Sequence, residues 1–203
     1  MISNYEIRRK AREILGNNLF SESWLYPVLI TIIISALSTA VSATFVGPVI
    51  VSGLLSIAAA RYYMGRVRGE IEPKQIEFSI DGIKNNFLGS LLTSVLYNLF
   101  VAIGSLILFI PGIIFGFSFS MAFYIINDHP EMTAMEALRE SRRLMNGHKM
   151  QYFILSLSFI GWIIIGTILL GIGTLWATSY MSCSYAVFYE ELLKSDTENF
   201  NEV

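Results

Sequence analysis

No aspartate, glutamate, lysine or arginine occurs from Ser23 to Ala60, from Phe87 to Ile126, or from Met150 to Tyr189. Charged residues make up only 15% of the 203-residue chain while 54% is hydrophobic, against roughly 25% charged in ordinary soluble domains. Too little polar surface is left to coat a water-facing globule, which excludes an ordinary soluble enzyme and a basic nucleic-acid binder. Cysteine is nearly absent too. Cys183 stands alone inside an apolar run, so no disulfide framework can be drawn.

Groups for chemistry are equally scarce. The two histidines, His129 and His148, have no cysteine or second histidine at metal-ligand spacing. No G-x-S-x-G elbow, P-loop or dinucleotide fingerprint occurs. Asp128, His129 and Glu131 in "NDHPE" are read as a helix terminus because Pro130 follows His129. No catalytic, cofactor-binding or metal-binding residue is therefore expected, and the chain is read as a non-enzyme. The apolar runs also lack the intramembrane acids and bases that proton-coupled transport uses. Their most polar point, Asn98 beside Thr93, Ser94 and Tyr97, is expected to bond between helices.

What is present is length. One bilayer crossing takes about 20 apolar residues, and each charge-free run is about twice that. Each also holds a helix breaker near its middle: Gly47-Pro48, Pro111-Gly112 and Gly171-Ile172-Gly173. Proline lacks an N–H and glycine takes the left-handed backbone that closes a helix. The expectation is three helical hairpins, six transmembrane helices in an all-α bundle. A kinked single helix would instead make a rod of roughly 60 Å.

All 14 Lys and Arg lie outside the hairpins, and the positive-inside rule puts their common face in the cytoplasm with both termini. The protein is thus expected in the bacterial cytoplasmic membrane. Trp24, Tyr26, Tyr62, Tyr63, Tyr124, Tyr152 and Tyr189 are placed in an interfacial aromatic belt. The first run, from Leu25 through "STAVSA", also resembles a cleavable signal, but its length matches the later hairpins.

A repeat emerges from "LGNNLF" at 15–20, "IKNNFLG" at 83–89 and "LMNGHKMQYF" at 144–153, with breaks about 64 and 61 residues apart. One membrane domain, 1–193, is expected as three pseudo-repeats of about 1–65, 66–130 and 131–193, with a polar cytoplasmic tail at 194–203. Ser3 with Glu6, and Thr133 with Glu136, have capping-box spacing. The second helix so capped runs "ALRESRRLMNG" to Gly147, with Met135, Leu138 and Met145 at helical spacing and Arg139, Arg142 and Arg143 alongside. Two readings of it stand: its apolar side is submerged among lipid headgroups, or it packs on the bundle as a connector.

The second limb of each hairpin carries small residues at every fourth position: Ser52, Ser56, Ala60; Gly112, Gly116, Ser120; Thr178, Ser182, Ala186. Such spacing marks close helix contacts in lipid, so these limbs are expected to form the inner layer. They are short, and either snorkelling at Arg61 or a re-entrant limb accommodates that.

Residues 135–192, "MEALRESRRLMNGHKMQYFILSLSFIGWIIIGTILLGIGTLWATSYMSCSYAVFYEEL", carry a resemblance. The stretch Glu-Ala-Leu-Arg-x-Ser-x-x-Leu-Met-x-Gly at 136–147, "LSFIGW" at 157–162 and "YAVFYEEL" at 185–192 are similar to the bacterial membrane proteins grouped as domain of unknown function 975. The likeness extends more loosely over most of the chain. The pattern also resembles, more distantly, membrane portions of some glycerophosphodiester phosphodiesterases. The resemblance implies a multi-span bacterial membrane protein with no settled activity and supplies no catalytic residue. Two functions are expected to compete: a module presenting Arg139, Arg142 and Arg143 to lipid, anionic lipid included, or to a membrane-protein partner; and a small-solute permease with its path along the second limbs. No cofactor and no nucleic-acid partner are expected.

Overall fold

A computed structural model describes residues 1–16, 18–40, 47–85, 87–107, 109–168 and 171–201. Among the described residues the fold is all-helical, without strands. In chain order the helices are α1 (Asn4–Leu15), α2 (Glu22–Ala40), α3 (Gly47–Arg68), α4 (Glu77–Asn85), α5 (Phe87–Ile107) and α6 (Phe109–Phe119). Then follow α7 (Ala122–Asp128), α8 (Ala134–Leu144), α9 (Lys149–Leu157), α10 (Ile160–Ile168) and α11 (Ile172–Asn201). A short helix precedes a pair of apolar limbs three times along the chain, with α6–α7 and α9–α10 as interrupted limbs.

Two stretches, Phe87–Gly104 and Lys149–Ile168, are long and apolar enough to cross a membrane. Only 22% of each is buried inside the bundle, whereas a core helix of a water-soluble protein is mostly enclosed. Glu22–Ala36 and Gly112–Asp128 are shorter apolar helices. In α3 the cation Arg61 interrupts the apolar run, and α11 becomes polar from Glu190 onward. Leu25, Leu29, Ile32, Leu99, Ile103 and Ile163–Ile165 point outward, and Ile168 is 75% exposed.

The breakers do different work from one another. Gly47 and Pro48 are the first two residues of α3, where proline has no intrahelical N–H to forgo. Residues 41–46, which precede them, lie outside the described residues. Pro111 and Gly112 likewise lie in the first turn of α6, and Leu108, between α5 and α6 in sequence, lies outside the described residues. Gly112 instead makes the close approach: a Cβ on Gly104 would come 3.0 Å from its Cα and 2.4 Å from the Phe115 ring. Only the third break turns on its expected glycine. Gly171 has φ +77°, and its N–H donates to the Thr167 carbonyl at 3.1 Å. Gly173 belongs to α11, against Gly166 of α10.

Both capping boxes form. Glu6 N–H donates to Ser3 Oγ (3.3 Å) and Ser3 N–H to Glu6 Oε2 (2.9 Å); Glu136 N–H donates to Thr133 Oγ1 (3.3 Å) and Thr133 N–H to Glu136 Oε2 (2.8 Å). Gly147, at φ +83°, sits in the turn from α8 to α9.

The core settles where α1 and α8 press onto the other helices. Ile7, Ala11 and Leu15 of α1 are buried, as are Ala137, Leu138, Ser141 and Leu144 of α8 and Met145 after it. Removing a leucine or methionine from water contributes about 1.5–3 kcal/mol, which holds α8 down by its apolar side. α8 thus packs against the bundle on its apolar side.

The aromatic belt is also redrawn. Trp24, Tyr62, Tyr63, Tyr124, Tyr152 and Tyr189 are buried inside the bundle and Tyr26 is half-buried. Tyr124 stacks on Tyr189 at 5.3 Å and Tyr152 lies 4.8 Å from Tyr185. These rings fill the space that small residues on neighbouring limbs leave open. Among the described residues Asn98 does not bond between helices: its amide donates to the Ser94 carbonyl one turn back (2.8 Å). Side-chain amides that do bond between helices are Asn127, whose Nδ2 donates to the Ile57 carbonyl of α3 (2.9 Å), and Asn4 of α1, whose Nδ2 donates to the Gln151 carbonyl of α9 (3.0 Å).

Candidate functional site: a hydroxyl-lined cavity between the second limbs

The second limbs α3, α6–α7 and α11 are held together by one cation. Arg68, at the end of α3, donates from both terminal nitrogens to the two oxygens of Asp128 at the end of α7 (2.6 Å each). Its Nε donates to Glu190 of α11 (2.6 Å), and Tyr189 Oη donates to Asp128 Oδ2 (2.9 Å). The hydrogen bonds to Asp128 and Glu190 outweigh the pull of burial and raise the Arg68 pKa further above its ordinary value. Asp128 thus latches a helix end, while His129 and Glu131 face solvent and pair with each other.

The middle limb bends for a local reason. A side chain that takes over part of the helical hydrogen-bond ladder opens the helix at that point. Met121 N–H donates to Ser141 Oγ (3.1 Å), and Ser141 Oγ–H donates to the Ser118 carbonyl (2.9 Å). Ser141 of α8 therefore separates α6 from α7 and turns Ser120 toward the interior.

Around that bend lies a cavity of about 210 Å³. Ser56, Ala60, Ser120 and Ser182 line it from the three second limbs, with Tyr63, Tyr97, Tyr124, Tyr152 and Tyr185 filling the walls. It adjoins a cavity of about 270 Å³ between α2, α3 and α11, through shared Ser56, Tyr63 and Ser182, where Thr31 and Thr178 are added. On the other side it adjoins one of about 400 Å³ between α5, α6 and α9, through shared Tyr97, Ser120 and Tyr152, where Gly112, Gly116 and Ser156 are added. Aspartate, glutamate, lysine, arginine and histidine are absent from the described lining of all three.

Tyr63 is 2% exposed, and its hydroxyl lies beside the Thr31–Ser179 hydroxyl pair (3.3 Å) in this wall. Tyr185 Oη donates to Ser156 Oγ at 3.0 Å.

The small-residue rows thus converge in part. Ser56, Ala60, Gly112, Gly116, Ser120, Thr178 and Ser182 line the adjoining cavities. Ala186 is fully buried, and the side chain of Ser52 lies outside the described residues. The basic residues do not act as one face. Arg143 is clamped by Glu140 and Asp196 (2.7 Å each), whereas Arg139 and Arg142 are exposed and close no ion pair among the described residues. The tail at 194–201 continues α11, which is how Asp196 reaches Arg143. The tyrosines were missed as wall residues because ring position on a helix does not reveal which neighbour it meets. Their recurrence near the ends of the apolar runs was the available signal.

The molecule is an all-helical bundle with apolar helices long enough for a bilayer and an uncharged interior cavity. Residues 102–196 match the family described as Protein of unknown function (DUF975). No curated protein and no solved structure matches the chain. The stretch that carries the likeness has visible structural work: Glu136 closes a cap, Ala137, Leu138, Leu144 and Met145 are core, Ser141 bends the neighbouring limb, and Gly147 turns the chain.

Proposed function

We propose that the protein is a six-span bacterial membrane protein that binds a small, uncharged, hydrogen-bonding solute between its second limbs and carries it across the membrane. The three units pack as pseudo-repeats with both termini in the cytoplasm. The observation carrying this reading is the pair of adjoining, charge-free cavities that share Ser56, Tyr63 and Ser182 in their walls. An interrupted limb beside a cavity near the middle of the helices is the form that transporter sites commonly take. Hydroxyls and aromatic faces suit a neutral polar solute; a charged one would find no counter-ion there.

The test is flux of neutral polar solutes, polyols and small sugars first, into vesicles holding the purified protein. A Cβ on Gly116 would meet nothing closer than the Tyr97 hydroxyl at 3.8 Å, so Gly116→Leu fills the cavity without striking backbone. Flux at least tenfold lower with an unchanged melting temperature is expected; flux equal to wild type, or none with any solute, defeats the proposal. Cysteine placed at Arg66 or Arg142 should also resist an impermeant thiol reagent on intact cells and react once the cells are opened.

A second reading rests on Arg139 and Arg142, exposed on the outward side of α8 and closing no ion pair among the described residues. They suit contact with anionic headgroups or an acidic partner. Reversing both charges then impairs function in cells while leaving solute flux in vesicles untouched.

A further inference from the structure

A groove of about 610 Å³ on the far side of α11 contains all three tryptophans of the chain, Trp24, Trp162 and Trp176. That volume falls within the about 300–1,000 Å³ of small-molecule sites. Its walls are otherwise apolar, with Ile165 of α10 and Ala177 of α11 among them. The rings are held in place from behind: Trp24 Nε1 donates to the Gly16 carbonyl (2.8 Å) and Trp176 Nε1 to the Leu19 carbonyl (2.9 Å).

One cation stands at the end of this groove. In α1, Arg9 pairs with Glu13 and Lys10 with Glu191, but Arg12 closes no ion pair among the described residues. Its guanidinium lies 5.7 Å from the centre of the Tyr180 ring, which positions it over the groove without neutralising it. From Tyr180 the groove follows α11 to Gly173, about two helical turns or roughly 10 Å. There Gly166 and Gly173 touch, a Cβ on Gly173 falling 2.8 Å from Gly166 Cα.

A fixed apolar slot with an unpaired cation at one end is complementary to an amphiphile with an anionic head. We propose that this groove binds a single anionic phospholipid, its phosphate at Arg12 and the upper part of one acyl chain against the tryptophans. The site is separate from the solute cavity and shares with that reading only the bilayer setting.

Because every tryptophan lines the groove, intrinsic fluorescence reports on it directly. The full chain is reconstituted in phosphatidylcholine vesicles containing a minor fraction of either phosphatidylglycerol or phosphatidylcholine brominated on its acyl chains. Brominated phosphatidylglycerol is expected to quench at least twofold more than the same fraction of brominated phosphatidylcholine. Arg12→Gln should abolish that excess, while Arg9→Gln, the same charge change on an exposed residue outside the groove, should keep it. Equal quenching by the two lipids, or an excess that survives Arg12→Gln, overturns the proposal. Loss of the excess in Arg9→Gln as well also overturns it, since the effect is then one of net charge. Absence of quenching by either lipid removes the bilayer setting itself, and with it both this site and the proposed carrier.

Discussion

Ser141 and Tyr63 are both hydroxyl residues in the interior, and their situations differ. Ser141 gives one hydrogen bond and receives one, standing in for the ladder that α6–α7 interrupts. Ser141→Ala leaves the Met121 N–H and the Ser118 carbonyl without that partner, and thermal or denaturant unfolding in detergent should show a loss of about 1–3 kcal/mol. Tyr63 stands in the cavity wall beside the Thr31 and Ser179 hydroxyls. Tyr63→Phe should cost no more than about 1 kcal/mol of stability, while solute binding, read by ligand-induced melting shifts, falls at least fivefold. A purely structural role for the hydroxyl would show the reverse. Neither assignment was legible beforehand. Ser141 lies in a row of ordinary helix formers, and the tyrosines near the ends of the apolar runs fit a headgroup belt as well as an interior.

At the level of elements, the capped helices were the most readable because capping is local: Ser3 with Glu6 and Thr133 with Glu136 specify starts that no distant contact needs to supply. The breaks were half readable. Glycine and proline mark where a helix cannot pass unaltered, but proline suits the first turn of the next helix, so Pro48 and Pro111 mark restarts instead of turns. The caps also set a pH response. Hydrogen bonds from the Thr133 backbone and hydroxyl hold the Glu136 carboxyl below its ordinary value, with nearby Arg139 adding to the effect; Ser3 does the same for Glu6. Asp196 is lowered by its hydrogen bonds to Arg143, which Glu140 shares. Depressed carboxylate pKa values stabilise the fold above the unfolded-state value and lose that contribution as pH falls through the folded one. The melting temperature in detergent should therefore be flat at neutral pH and drop between about pH 5 and pH 3. Glu136→Gln combined with Asp196→Asn should make that drop shallower.

Taken as a whole, the molecule is three apolar pairs joined through Arg68, a junction that sequence spacing could not reveal because its members lie at the ends of separate limbs. The guanidinium side chain is 26% exposed and its partners Asp128 and Glu190 less so. Arg68→Ala leaves two partly buried carboxylates facing each other, and a loss of about 3 kcal/mol is expected in unfolding titrations. Asp128→Asn with Glu190→Gln in the same chain should recover part of it. The charge-free runs made the all-helical plan readable; what stayed hidden was how the helices lean on one another. The bend between α6 and α7 has a consequence for biogenesis. Its two displaced backbone groups are satisfied by α8, which leaves the ribosome later, and a buried group left without its partner costs about 1–3 kcal/mol. The nascent second pair therefore cannot hold its final shape until the third unit has begun to emerge, so translation order and folding order are coupled at a single serine.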